Sequence, residues 1–519
     1  MNVGDSLMSG RCKTVPAPPG AGSVHAVQRA PIDWSTVSWA RIVQQVEKIQ
    51  RRIFQEARAG NWANVNRAQK LLVKSLAARL LAVRRVTERN KGRFTPGVDG
   101  RICTSDQGKV DLVEEIRAEY KKPDPVLVVW IPKPDGGMRR LGIPTIRDRA
   151  MQALVLMAME PEWEAKFEPH SFGFRPGRGA IDAVQYIAKD LIRYKNRTLH
   201  PGWILDADIT RCFDTIDHDA LLAKLEGSPF QELIRRWLKC GAIDKVTFEE
   251  TEKGTPQGGV ISPLLANIAL TGLESQFGIY SKTGRYLSPS QRNGLDKHVT
   301  LVRYADDFVV LAPSREVLET HVLPKVKDVL SAMGLELNGA KTRIINVSEG
   351  FSFLGFTFQR FFRRDGSYKD FVYAPRRERL DQFCTRLKGI LRYSLHRDVS
   401  DIIDDLNRRI RGFCNYFKWG NAYKAFSYLS HRTWRLLWQW CKRKHPRRGA
   451  KWLRSRYWQH VGNDRWTFTW NGKRLVHPYK LATQWWRWAK VRIHTSPYDP
   501  NERDYWIARK KGPNRGMVS

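Results

Sequence analysis

The stretch Val299-Thr-Leu-Val-Arg-Tyr-Ala-Asp-Asp-Phe-Val-Val-Leu311 sets two adjacent carboxylates, Asp306 and Asp307, between two apolar runs. β-Branched and aromatic residues on either side of a short polar step predict two strands, so Tyr304 to Asp307 reads as the tip of a β-hairpin. Neighbouring carboxylates repel unless a cation lies between them. Aspartate is also common in solvated turns, so the pair by itself leaves a metal site and a plain turn both open.

A second carboxylate on an apolar strand changes the weighing. It stands in Trp203-Ile-Leu-Asp-Ala-Asp-Ile-Thr-Arg-Cys-Phe-Asp214, where Asp208 is the natural metal ligand. Phosphoryl transfer between nucleotides needs two divalent cations roughly 4 Å apart, which activate the attacking 3′-oxygen and stabilise the leaving pyrophosphate. Carboxylates on adjacent strands meet that need, and hard oxygen ligands select magnesium. Between the two motifs, Gly254-Thr-Pro-Gln-Gly-Gly-Val-Ile-Ser-Pro263 is a glycine-rich loop whose backbone can approach a substrate closely. It lacks the GxxxxGK[ST] pattern of a P-loop.

Composition agrees with a polyanionic partner. Across 519 residues, 89 Lys and Arg face 52 Asp and Glu, a net charge of +37, and an imbalance of that size points first to nucleic acid. No apolar run reaches the length of about 18 residues that a membrane span needs, and no signal-peptide core is visible, so a soluble cytoplasmic protein without a membrane partner is expected. Cys12, Cys103, Cys212, Cys240, Cys384, Cys414 and Cys441 are scattered without a CxxC pair, which indicates buried thiols and neither a disulfide framework nor a zinc module.

Along the chain, residues 1–30 read as a flexible leader. From Trp34 to Val86, apolar residues such as Ile42, Val46, Ile49, Ile53 and Leu71, Leu72, Leu76, Leu80 fall at helical spacing around a break at Ala59-Gly-Asn61, which predicts a helical hairpin. The turn-rich Thr95 to Gly100 closes it. Residues 101–360 mix strand patterns (Val126 to Ile131, Trp203 to Ile209, Leu301 to Leu311) with a helix from Arg147 to Glu160, so this part is α+β. From Phe361 to Ser519, 37 Lys and Arg oppose 12 Asp and Glu. Leu406 to Asn463 holds no acidic residue and interleaves 15 Lys and Arg with Trp419, Trp434, Trp438, Trp440, Trp452 and Trp458. Such a surface attracts phosphates, and exposed aromatics can stack bases, although core packing is the commoner use of each tryptophan.

The order of these motifs resembles that of reverse transcriptases, and within them the group II intron maturases, over nearly everything from Trp34 to Trp506. The resemblance implies a right-hand polymerase: a helical N-terminal extension at 31–100, fingers and palm with an antiparallel palm sheet at 101–360, a helical thumb and maturase domain at 361–445, and a basic DNA-binding tail at 446–519. Tyr304 to Asp307 matches the YADD box, and Asp208, Ile209, Asp306 and Asp307 are implied as ligands of two Mg2+ ions. Phe213 matches the sugar gate, whose ring excludes a 2′-hydroxyl, and Gln257 would lie against the incoming base. Ile131-Pro-Lys-Pro-Asp-Gly-Gly-Met-Arg-Arg-Leu-Gly-Ile-Pro144 looks like the fingers motif, with Lys133 and Arg139 on the triphosphate; members usually carry Pro where this chain has Arg140. Ser171-Phe-Gly-Phe-Arg-Pro-Gly-Arg178 resembles the next block, with Arg175 on template or nucleotide. In Gly334 to Thr342, which resembles the fourth palm motif, Lys341 is a candidate general acid near the leaving pyrophosphate. Phe351 to Phe356 resembles the link from palm to thumb. Arg408, Arg409, Arg411, Lys442, Arg443, Lys444, Arg447, Arg448 and Lys451 are the RNA-binding candidates.

The function implied is an RNA-directed DNA polymerase and maturase that binds group II intron RNA, assists its splicing and copies it from deoxynucleoside triphosphates during retrohoming into target DNA. Retron, diversity-generating and CRISPR-linked reverse transcriptases share the palm boxes but not the long basic C-terminal region. A polymerase-inactive splicing factor would typically have lost palm carboxylates, and all three are present. A transposase or nuclease with an acidic triad gives no reason for the Gly254 to Pro263 loop. Ser496-Pro-Tyr-Asp499 and Tyr505-Trp506 resemble the segment that in many relatives leads into a zinc-supported HNH endonuclease. The cysteine pairs of such a module are missing here, so insertion without cleavage of the second strand is expected. The identity of the intron, the target site and the oligomeric state are not legible in the sequence.

Overall fold

The computed structural model describes residues 32–117, 122–132, 136–193, 202–244, 247–281, 285–365, 368–482 and 491–510. The leader expected at 1–30 and Lys133 lie outside the described residues. The N-terminal helices are α1 (Trp39–Arg58), α2 (Trp62–Lys74), α3 (Leu76–Arg84) and α4 (Asp106–Glu115). The expected hairpin is thus three helices before the Thr95 turn, because Ser75 leaves helical backbone geometry and separates α2 from α3.

All four pack on or beside α5 (Ile146–Lys166), a helix buried on nearly every side. Pro161 lies inside α5, and its missing N–H leaves the carbonyl four residues earlier without a helical partner. Gln50 of α1 supplies one: its Nε2 donates to the Met157 carbonyl at 2.9 Å. Gln69 of α2 donates to the Ala158 carbonyl at 3.3 Å and to Glu162 at 2.7 Å. An unpaired buried carbonyl would cost on the order of 1–3 kcal/mol, so these glutamines bind the N-terminal extension to the palm at a point where the palm helix needs donors.

Strands β1 (Val126–Pro132) and β2 (Met138–Ile143) form an antiparallel hairpin of the fingers. The chain then runs through α5 and α6 (Ala180–Arg193) into the palm strand β3 (Trp203–Ala207), and returns to the fingers as β4 (Ala242–Asp244) and β5 (Thr247–Glu249). The palm is completed by β6 (Thr300–Tyr304), β7 (Asp307–Ala312) and β8 (Arg343–Asn346), in the order β6-β7-β3-β8 and antiparallel throughout.

Strand periodicity makes this sheet a partition between two cores. Leu205, Leu301, Phe308 and Val310 face α5 and the N-terminal helices. Ile204, Val302, Val309 and Leu311 face α6 and the C-terminal region. With both faces buried, register is strongly specified, since a slip of one residue would exchange the two sets.

Beyond the palm, β9 (Phe351–Phe353), β10 (Phe356–Phe362) and β11 (Tyr368–Pro375) form a small antiparallel sheet, with Phe351 stacked on Phe358 at 4.9 Å. Helices Arg377–Arg392, Val399–Phe417 and Tyr423–Lys444 follow. The region expected only as a basic tail contains a helix, Ala450–Tyr457, and a three-stranded meander of β12 (Trp458–Val461), β13 (Asp464–Trp470) and β14 (Lys473–Arg474). It shares one core with the thumb: Trp440, Trp458, Phe468 and Trp506 are all buried there. Trp434, Trp438 and Trp452 are half-buried against that core, so packing is the main use of these tryptophans.

Residues 491–510, expected to hold DNA, form a strap across the palm. The Tyr498 hydroxyl donates to Glu160 of α5, Arg58 pairs with Asp499 at 3.1 Å, and Arg509 pairs with Asp182 of α6. Arg492 is taken by Glu502 at 3.1 Å. Several of the cations credited to a DNA surface therefore serve the fold.

Candidate active site

The β6–β7 hairpin turns on two residues, with Tyr304 paired to Asp307. Such tight turns demand positive φ at a central position, and Ala305 adopts it at 59°. Asp306 and Asp307 thereby stand at one end of the palm sheet. β3 pairs with β7 in the register Ala207 to Phe308, which brings Asp208, one residue past the strand, to the same end.

The carboxylates influence one another. Asp307 is open to solvent along one side, yet its pKa is pushed up to about 6, first by desolvation and then by Asp306, Asp208 and Asp206. Asp306 is raised, by burial first and by Asp208. Asp206, given no role from sequence, is raised to about 6 by burial, against the pull of Arg343. Burial in all three, and mutual repulsion among them, disfavour the charged form.

Lys341 Nζ donates to Asp208 Oδ2 at 2.8 Å. The loop that carries it is registered on the same segment, because the Asn338 N–H donates to the Asp208 carbonyl at 2.8 Å and Ile209 bridges to Leu337. The Ile209 side chain is buried and has no donor atom, so only its main-chain carbonyl could meet a metal.

Among the described residues, no three carboxylate, imidazole or thiolate groups form a ready-made metal cage. Magnesium does not require one, since it is usually held by one or two carboxylates together with substrate phosphates. The hard oxygen set of Asp208, Asp306 and Asp307 fits that mode.

On the fingers side, Arg139 is exposed on β2 and acts through space on Asp306, while Arg140 on the opposite face pairs with Glu249 of β5. The departure at position 140 thus has a local partner. Gln257 is anchored twice: its Nε2 donates to Asp214 Oδ1 at 3.2 Å, and its carbonyl accepts from the Gly142 N–H at 2.9 Å. Gly258 has φ of 128°, and a Cβ there would press on the Gly142 carbonyl at 2.7 Å, so this position depends on glycine. Gln257, Phe213, Asp214, Arg140 and Gly142 line one small cavity of about 80 Å³. Phe213 is half-buried beside it and meets the exposed ring of Phe174 edge-on at 6.4 Å.

Arg175 requires correction. Neither a substrate contact nor a surface residue, it is buried, with Nε and Nη2 on the two Glu164 oxygens at 2.7 and 2.9 Å and Nη1 on the Glu168 and Ser171 carbonyls. Its donors are spent inside the palm.

Three segments of the chain match known families. Residues 34–116 match the N-terminal domain of reverse transcriptase, 131–358 the reverse transcriptase (RNA-dependent DNA polymerase) family, and 380–458 the group II intron maturase-specific domain. The chain belongs to the group II intron-encoded reverse transcriptases and maturases. It is an RNA-directed DNA polymerase of a family that works with divalent metal ions.

Relatives of this intron-encoded enzyme include Protein YkfC of Escherichia coli K12, 33% identical over 338 residues, which cover 59% of this chain and 87% of that protein. The group II intron-encoded protein LtrA of Lactococcus lactis subsp. cremoris is 25% identical over 428 residues, covering 66% and 69%. Telomerase from Candida albicans, solved with a fragment of telomeric RNA, covers 64% of this chain and 65% of its own at a TM-score of 0.38 and 12% identity, too distant for any argument about function. No helix among the described residues is long and apolar enough to cross a membrane.

In the maturase part of this reverse transcriptase, Arg408 and Arg409 are exposed and share Asp405 at 3.5 and 3.3 Å. Arg411, Arg447 and Lys451 are exposed, and Arg448 lies 5.1 Å from the Trp452 ring. Lys442 and Arg443 border a cleft of about 490 Å³ with Lys388 and Arg392. Lys444 instead donates to the Leu395 and Arg397 carbonyls at 2.6 and 3.3 Å, which closes the turn after the first thumb helix, and Arg443 also reaches the Leu391 carbonyl at 3.1 Å.

Three residues around the Asp306 turn have no role assigned from the sequence: Arg303 and Gly173, which stand inside the quoted motifs, and Asn267. The available signal was Arg303, the one charged side chain on β6.

Proposed function

We propose that this reverse transcriptase copies its group II intron RNA into DNA by two-magnesium nucleotidyl transfer, with Asp208, Asp306, Asp307 and the Ile209 carbonyl as the ion-binding groups. The observation that carries the proposal is the gathering of Asp208, Asp306 and Asp307 at one end of the palm sheet, with carboxyl pKa values raised at Asp306 and Asp307 and an ammonium on Asp208. Bound there, the ions would activate the primer 3′-oxygen and stabilise the departing pyrophosphate. Arg139 and Lys133 hold the triphosphate, Gln257 lies against the base, and the Phe213 ring occupies the space of a 2′-hydroxyl. Lys341, paired with Asp208 at 2.8 Å, would supply its Nζ proton to the departing pyrophosphate. The exposed cations Arg408, Arg409, Arg411, Lys442, Arg443, Arg447, Arg448 and Lys451 bind the intron RNA that the protein helps to splice, and retrohoming delivers the copy to target DNA.

One experiment separates the two surfaces. Asp306→Ala abolishes primer extension and leaves RNA affinity unchanged, whereas joint charge reversal at Arg447, Arg448 and Lys451 lowers RNA affinity and flattens its salt dependence, by about one unit of log–log slope for each phosphate no longer neutralised. Primer extension by D306A above a few per cent of wild type would remove the metal assignment. An unchanged salt slope would remove the RNA surface.

A further inference from the structure

Arg303 is 1% exposed and is the one charged residue of the strand Thr300–Tyr304. A leucine would continue the strand without the cost of burying a charge, which is large unless the charge is paired and hydrogen-bonded. Two buried carboxylates, Glu168 and Glu274, act on the guanidinium through space, but burial outweighs them and Arg175 opposes them. The bonds that Arg303 makes indicate its use. Nη1 donates at once to the Ala305 carbonyl at 3.2 Å and to Asn267 Oδ1 at 3.0 Å. Asn267, itself buried on the helix Ser262–Ala269 that continues the Gly254 to Pro263 loop, donates through Nδ2 to the Gly173 carbonyl at 2.8 Å. Gly173 lies so close to the Ala305 amide that a Cβ there would collide with it. The segment around Gly173 is also hydrogen-bonded to β6, with the Arg303 N–H on the His170 carbonyl at 3.0 Å and the Phe172 N–H on the Arg303 carbonyl at 2.9 Å.

These contacts converge on one residue. Ala305 has φ of 59°, a left-handed conformation that a Cβ disfavours and that therefore persists only where the surroundings hold it. Asp306 is the next residue, so the Ala305 carbonyl belongs to the peptide group that leads into it.

We propose that Arg303 is the positioning residue of the catalytic hairpin. Together with Asn267 and Gly173 it fixes the Ala305 peptide, and so sets where the Asp306 carboxylate meets a divalent cation. The inference rests on the assignment of Asp306 to cation binding.

The test uses the full chain with an oligo(dT) primer on poly(rA). Mn2+ binding in the absence of nucleotide is followed by the loss of the free-ion EPR signal, alongside dTTP incorporation as a function of Mg2+. Arg303→Lys keeps the charge but, on a shorter side chain, withdraws the nitrogen that as Nη1 reaches the Ala305 and Asn267 oxygens together. It should weaken Mn2+ binding by about fivefold or more and slow incorporation at saturating Mg2+ by about tenfold or more, with RNA affinity unchanged. Adding Ala305→Gly to R303K should recover part of both, because glycine reaches positive φ without support. A folded R303K with wild-type Mn2+ affinity overturns the proposal, as does slower incorporation without any change in cation affinity. If R303K does not fold, Asn267→Ala, which leaves the buried charges in place, is read by the same criteria. D306A run in parallel keeps the two claims apart: if D306A binds Mn2+ as wild type does, the Asp306 assignment fails; if D306A loses the ion while R303K keeps it, only the positioning role fails.

Discussion

Lys341 Nζ and Asp208 Oδ2, separated by 133 residues of chain, lie 2.8 Å apart. The ammonium pairs with one oxygen of a carboxylate that is proposed above to bind a divalent cation. The lysine side chain is nevertheless 67% exposed, so a surface ion pair of this kind contributes little to stability and is easily displaced.

Lys341→Ala should therefore leave the melting temperature nearly unchanged and reduce the rate of nucleotide addition by about a hundredfold, the usual scale for removal of a general acid. Because the lysine competes with cation for Asp208, the Mg2+ needed for half-maximal rate should stay the same or fall. A clear rise in that requirement, measured by single-turnover extension, would assign Lys341 to the metal scaffold instead of to proton transfer.

The raised carboxyl groups predict a pH dependence whose sign can be worked out. Asp307 at about 6 in the fold stands above the ordinary aspartate value of about 3.9, so the fold binds a proton that the unfolded chain releases. Its contribution favours folding at low pH and is lost as pH rises from about 4 through 6. In metal-free protein, the difference in melting temperature between wild type and D307N should become less favourable to wild type over that window. Divalent cation should cancel the trend. Primer extension should fall as pH drops below about 6, with the midpoint moving lower as Mg2+ is raised, and a midpoint indifferent to Mg2+ would count against Asp307 as an ion-binding group.

Phe213→Ala opens the wall of the small cavity shared with Gln257, and should reduce discrimination against ribonucleotides by about tenfold to a hundredfold, the range set by steric exclusion without a hydrogen bond to lose. Competition between dTTP and UTP in single-turnover incorporation measures it. An unchanged ratio would return Phe213 to core packing, where its partial burial against the α5 side already gives it neighbours.

Arg175→Ala separates a structural arginine from a substrate contact. The bidentate pair with Glu164 is buried on both sides, and removing one partner of such a pair typically costs about 3–5 kcal/mol. Denaturant midpoints should drop accordingly, while the KM for nucleotide in the remaining folded enzyme stays within about twofold, below the effect of deleting a charged hydrogen bond to substrate. A normal midpoint with a raised KM would restore the substrate role.

The chemistry and the class of fold could be read directly from the order of residues. Continuous apolar runs beside Asp208 and on either side of Asp306-Asp307 have the pattern of strands with both faces covered, and two-ion phosphoryl transfer would ask for carboxylates at their ends. That is why the palm sheet and its carboxylate-bearing end were legible from short motifs. Which charges face substrate and which serve the fold depended instead on how the chain packs in three dimensions. Arg139 and Arg175 look alike as letters, yet one is exposed on a fingers strand and acts on Asp306, while the other is consumed by Glu164. Lys444 closes a helix end, Arg509 fastens a strap to Asp182, and Gln50 compensates for Pro161. Each outcome depends on a partner distant in sequence, and a side chain's electrostatic fate is set by what packs around it over a few ångströms, a quantity that composition and periodicity do not carry.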